Sequence, residues 1–181
     1  MASYYYLVAS LPMLRFDEAP PITMNQFLSS CKQSMNLRDY NLVEKLAQGE
    51  VGEVQHEHPF LADWSKFLLQ MKLSLHEQRG KALGRVAESD RASFNRDIHS
   101  EEVVKLAMQA ENPLEAELLL MQYHWTVAEA LSQSCVFSIQ VLFTYAIQLA
   151  LLERKALFTP LEGNAEFKRL FSNLQSIIKS I

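Results

Sequence analysis

Glycine and proline are scarce in this chain. There are 5 Gly and 6 Pro in 181 residues. A sandwich or barrel needs a turn every few residues, so this scarcity excludes a many-stranded all-β fold and favours helices. Cysteine is nearly absent as well. Cys31 and Cys135 stand far apart and fit no metal-ligand spacing, which reads as reduced thiols of a cytosolic interior. A basic excess is missing, since the net charge is -4, and this argues against a nucleic-acid partner. Also missing are a Gly-x-Ser-x-Gly elbow, a phosphate-cradling glycine loop and a His-Glu-x-x-His pair. Acids are spread along helix faces, so no carboxylate pair suited to acid–base work stands out. No catalytic, cofactor-binding or metal-binding residue is nominated, and neither a cofactor nor a small-molecule substrate is expected. The opening Met1-Ala2-Ser3-Tyr4 has no basic n-region, so no secretion signal is expected.

Apolar material is abundant. The chain is 49% hydrophobic, with 10 Phe, 6 Tyr and 2 Trp, enough to build a core. Tyr4 to Leu11 has strand propensity, but no partner strand follows and a lone strand is unstable, so a short helix ending near Pro12 is expected. Thr23-Met24-Asn25-Gln26 has the form of a capping box. Asn36 is placed to cap a helix over 37–48, which Gly49 ends. Pro59 suits a first helical position, and Phe60, Trp64, Phe67, Leu68, Met71 and Leu75 follow at helical spacing towards about Val86. A polar, partly basic stretch over 79–96 comes next. Ser100-Glu101-Glu102 places acids at the positive end of another helix. At the end of the chain, Phe167, Leu170, Phe171, Leu174, Ile177, Ile178 and Ile181 mark an amphipathic helix beginning near Asn164.

The longest uninterrupted stretch is 114–159, bounded by Pro113 and Pro160, with no Gly or Pro inside it. Ala130 to Leu152 carries no charge and is long enough to cross a bilayer. Three glutamines argue against that, because each amide would be poorly satisfied in lipid. Gln140, Thr144 and Gln148 recur every four residues, and Ile139, Leu142, Ala146 and Leu149 form an apolar stripe. The pattern is a buried helix with a polar seam, with no direct membrane span. As one straight helix the stretch would extend about 70 Å, against roughly 40 Å for a globule of this size. Either the chain turns near Ser132 to Val136, or the molecule is elongated.

His56-Glu57-His58, with His76 and Glu77 downstream, is the most conspicuous polar cluster. Its i, i+2 spacing before Pro59 suits a capping loop better than a metal site. His124, beside Trp125, reads as a core or interface histidine. Met71, Met108, Met121, Trp64 and Trp125 fit a core at helical spacing, with an adaptable groove as the alternative. The expected fold is all-α: a bundle of about six to eight helices with a central long helix or helical hairpin over 114–158. Residues 1–181 are expected to form a single all-helical domain, with sub-lobes 1–88 and 99–181 joined by a polar segment.

Two segments carry a resemblance. Tyr4-Tyr5-Tyr6-Leu7-Val8-Ala9-Ser10-Leu11-Pro12 resembles the opening of a short bacterial family of unknown function whose genes sit in V-type ATPase operons. Asn112 to Glu117, and Phe137 to Arg154 with Tyr145-Ala146 and Leu149, are similar to that family's C-terminal core, and Glu162-Gly163 and Phe167 also fit. The family is distantly similar to the C-type subunit of V/A-type ATPases, the d-type subunit of eukaryotes. That protein is an all-helical, non-catalytic socket between central stalk and rotor ring. The resemblance implies a non-catalytic ATPase subunit or accessory factor of this socket type. Its partners would be the central stalk and rotor ring. It would be cytoplasmic, peripheral on the inner face of the cytoplasmic membrane. A full socket protein is considerably longer, so this chain would supply only part of such a funnel. The alternative is a stand-alone helical adaptor or regulator that docks a partner helix. A third reading, a small metal-dependent enzyme using the His56/His58 region, has the weakest pattern.

Overall fold

A computed structural model describes residues 4–84 and 97–158. Among the described residues the chain is all helical, with eight helices. They are α1 (Tyr5–Ser10), α2 (Met24–Ser34), α3 (Leu37–Ala47), α4 (Val51–Val54), α5 (Pro59–Ala82), α6 (Ile98–Gln109), α7 (Pro113–Ser132) and α8 (Ile139–Ala156). The expected C-terminal helix, with Glu162-Gly163 and Phe167 of the resemblance, lies outside the described residues, as does 85–96 of the polar stretch.

Local chemistry accounts for most of the helix ends. Thr23 Oγ1 accepts from the Gln26 N–H and the Gln26 side chain accepts from the Thr23 N–H, closing the capping box of α2. Asn36 caps α3 through the Asp39 N–H at 2.9 Å, and Asn112 caps α7 through the Glu115 N–H at 2.8 Å. Pro59 and Pro113 occupy first turns, where a missing N–H costs nothing. Gly49, with φ +82°, takes the left-handed conformation that stops α3. Some boundaries differ from expectation. α5 ends at Ala82, just before Gly84 turns to φ +67°. α6 starts two residues before Ser100, because Asp97 is its cap, accepting from the N–H groups of His99 and Ser100. Ser100 Oγ donates to the same carboxylate and Tyr123 Oη joins it at 3.0 Å, so this cap also fastens α6 to α7.

The long stretch turns. α7 ends at Ser132 and α8 begins at Ile139, so 114–158 is a helical hairpin rather than a strut. Ser132 is the last residue of α7. Ser132 Oγ bonds back to the carbonyls of Ala128 and Glu129, and its own carbonyl accepts from the Cys135 N–H at 2.8 Å. The last of these is a turn bond that closes the end of the helix. The two arms run antiparallel, pinned near the open end by an Arg154–Glu117 ion pair and further in by Gln148 Nε2 donating to Glu129 at 3.0 Å.

α8 is the axis of the fold. Residues 142–149 are buried without interruption, as expected of a helix surrounded by others. α7 lies along one side and α2 and α3 along another, with Phe27 stacked on Tyr145 at 5.0 Å. The segment before α2 crosses the hairpin: Tyr145 Oη donates to the Pro12 carbonyl, and Lys155 Nζ bonds the Phe16 carbonyl and lies over the Phe16 ring. α5 packs on α6 and α7, where Phe67 and Trp64 meet Tyr123 and His124. Side chains from both 4–84 and 97–158 enter one continuous core. Among the described residues no helix is long and apolar enough to cross a membrane.

Candidate functional site

Three helices begin around one cavity at the turn end of the hairpin. α3 starts there at Asn36, α5 at His58 and α8 at Ser138. The cavity holds about 230 Å³, with Leu42 and Ile139 as its apolar wall. Arg38, Asp39, Glu57 and His58 supply the charged and titratable wall, and Ser138 and Gln140 complete it.

Most of these groups are already engaged. Asp39 accepts from Tyr4 Oη and, at 2.9 Å, from Asn36 Nδ2. The Tyr4 phenol is pushed well above its usual range by burial and by the Asp39 carboxylate it bonds. Arg38 faces Glu57 at 3.9 Å, both side chains being largely exposed. His58 Nδ1 accepts from the Phe60 N–H at 3.1 Å, so the neutral ring carries its proton on Nε2. Its ring edge rests on fully buried Phe143 at 5.3 Å. Burial lowers the His58 pKa, against a smaller upward pull from Asp39.

Two groups are not engaged. Ser138 Oγ and Gln140 Oε1 are both shielded from solvent and have no hydrogen-bond partner. Ser138 is the N-cap residue of α8, yet its side chain does not cap the helix. The Val141 N–H, which such a cap would engage, bonds the Ser138 carbonyl instead, at 3.2 Å.

The rim beside the cavity is aromatic and open. Phe137, adjacent to Ser138, meets Tyr5 ring to ring at 4.6 Å, and Tyr5 meets Tyr6 at 5.4 Å. Tyr6 is 87% exposed, Leu37 76% and Val136 68%. The Tyr4 N–H donates to the Phe137 carbonyl at 2.7 Å, so the start of the described chain is tied to the hairpin turn.

The histidines of the sequence cluster are separated. Glu57 and His58 enter the cavity wall, His56 is exposed in the preceding turn, and His76 lies 18 positions further along, about 27 Å away on α5. Among the described residues no group of three or more His, Cys, Asp or Glu is placed to hold a metal ion. His124 is an interface histidine: Nδ1 pairs with the Leu120 carbonyl at 2.6 Å, and its ring packs against Trp64 and Phe67. The cysteines are free, and burial pushes the Cys31 thiol up to about 12, making it unreactive. The four-residue period places Gln140 in the polar seam but gives no hint that Arg38, Asp39 and His58 meet it. That meeting requires α3, α5 and α8 to begin at the same end of the bundle.

Comparison with protein-family models, curated proteins and solved structures yields no match to this chain.

Proposed function

We propose that this chain is a non-catalytic subunit or accessory factor of a V/A-type ATPase, holding the central stalk and the membrane rotor ring in register. The observation that carries the proposal is the way the two resembling stretches sit together. Tyr4 bonds the turn of the hairpin through the Phe137 carbonyl, Tyr5 packs on Phe137, and Tyr145 reaches back to Pro12. Stretches more than 100 residues apart in sequence thus form one unit around α8. Such a body works by shape. The hairpin has no internal glycine or proline in either arm, and its core side supports a rim whose exposed aromatics suit a protein contact. In this reading the protein is cytoplasmic and peripheral to the membrane through its ATPase partners.

The test is affinity capture of the tagged chain at native expression, with mass spectrometry of what accompanies it. ATPase catalytic, stalk and ring subunits should be enriched. Their absence, with the bait intact, sinks the assignment. The exposed rim at Tyr6, Leu37 and Val136 favours one second reading, a stand-alone adaptor that docks a partner helix. Capture of one non-ATPase partner, lost when Tyr6 is replaced by Ser, would select it.

A further inference from the structure

We infer that the cavity at the hairpin end binds an uncharged amide group. Its placement on a partner polypeptide rests on the docking role proposed above; the amide chemistry does not. The charged groups of the wall already answer one another. Asp39 is held by Tyr4 and Asn36, and Arg38 leans on Glu57. An anion would meet those two carboxylates, and a cation would meet Arg38 together with the positive ends of α3, α5 and α8. The wall therefore offers no net advantage to an ion of either sign.

What is left without a partner is neutral. Gln140 Oε1 lacks a donor, and Ser138 Oγ can give or take a hydrogen bond. The first turn of α8 lacks a side-chain cap, and with the Val141 N–H bonded to the Ser138 carbonyl at 3.2 Å it is the N–H groups of Ile139 and Gln140 that favour an acceptor. An amide presents a donor and an acceptor a few ångströms apart, which matches this set. Leu42 and Ile139 provide apolar contact for the carbon skeleton beside it. The two oxygens lie under the cavity wall, and the entering amide draws them out by side-chain rotation, a common change at protein interfaces. The exposed aromatics Tyr5, Tyr6 and Phe137 adjoin Tyr4, whose Oη bonds Asp39 of the wall, and Ser138, so the amide arrives on a polypeptide rather than as a free solute.

The experiment is a nuclear magnetic resonance titration of the full chain with four small probes at equal concentration: N-methylacetamide, acetamide, acetate and methylammonium. The amides should shift the backbone signals of Ile139 to Val141 and of Phe60, saturably, and Gln140→Met should abolish the response. A stronger effect of N-methylacetamide points to a backbone amide and of acetamide to an Asn or Gln side chain; both support the site. Equal or larger shifts from acetate or methylammonium overturn it, as does no response of these signals to either amide. Ser138→Ala and Gln140→Met give a second readout in the ligand-free protein. If the oxygens are held ready for a ligand, the melting temperature stays level or rises. A fall of several degrees in both variants means the oxygens are already satisfied, which also overturns the proposal. None of these readouts involves an ATPase subunit, so failure here is distinguishable from failure of the capture experiment.

Discussion

The polar seam of α8 ends differently at its two extremities. Towards the open end of the hairpin every member is answered. Thr144 Oγ1 donates to the Ala128 carbonyl at 3.0 Å, and Gln148 Nε2 donates to Glu129, which also accepts from Trp125 Nε1 at 2.8 Å. Towards the turn, Ser138 and Gln140 have buried oxygens without partners. The two ends belong to one helix and carry similar side chains. The difference is what faces them: α7 lies against Thr144 and Gln148, whereas at Ser138 α7 has already ended and a cavity begins. A seam that pairs fully fixes register. A seam left open at one end is where a ligand can act.

The largest change expected comes from removing the support that both ends share. Phe143 is fully buried between them, against the rings of His58 and Phe60. Phe143→Ala should cost about 3–5 kcal/mol, as lost transfer energy plus a cavity. Urea denaturation checks this. A loss below about 1 kcal/mol would mean that the site collapses freely around the missing ring.

The second effect is acid sensitivity on the cavity side. Burial lowers the pKa of His58 and of His124 below 6.5 in the folded protein. As pH falls, the unfolded chain therefore takes up protons first, and stability drops below pH 6.5 while staying level just above it. Protonation of His58 also removes the acceptor that caps α5 and puts a positive charge at a helix start. His58→Ala should lose on the order of 1 kcal/mol at neutral pH, by analogy with other cap losses. It should also flatten the slope below pH 6.5, with the remainder due to His124. Denaturation midpoints across that range, for wild type and variant, decide this; an unchanged slope in His58→Ala removes the histidine from the account.

The answered end of the seam should respond more mildly. Thr144→Val keeps the shape and removes one buried hydrogen bond, leaving the Ala128 carbonyl with its helical partner and the longer bond from Ser132 Oγ. About 1 kcal/mol of destabilisation is expected, read by the same urea denaturation. A neutral result would place the register of the hairpin in its apolar contacts alone.

These contrasts also separate what can be read in the chain from what cannot. The helix ends are legible, because Thr23, Asn36, Pro59, Asn112 and Pro113 act within four residues of their own positions. The seam is legible as a period of four. So is the place where a turn is needed, since a straight helix over 114–159 would overrun the globule. Where the chain does turn, it is held by the Cys135 N–H on the Ser132 carbonyl and by Tyr4 claiming the Phe137 carbonyl. The second of these is a contact across more than 130 residues, beyond the reach of periodicity. The cavity is less legible still. Arg38, Glu57 and Gln140 share no spacing, and only the common starting end of α3, α5 and α8 brings them together. The His56-Glu57-His58 cluster attracts attention in sequence for its ligand types, yet its structural role is the capping nitrogen of His58.

The smallest effect is the most informative. In Ser138→Ala and Gln140→Met the altered atoms have no partner to lose. Leaving a buried polar group unsatisfied costs about 1–3 kcal/mol, so its removal should be neutral or stabilising by up to about 1 kcal/mol once packing changes are included. Set beside Thr144→Val, the sign of the change should therefore reverse along a single helix, within two turns. Calorimetric melting of the three variants tests the reversal directly. If all three destabilise alike, the seam is a uniform structural device, and the open end has no role that distinguishes it from the closed one.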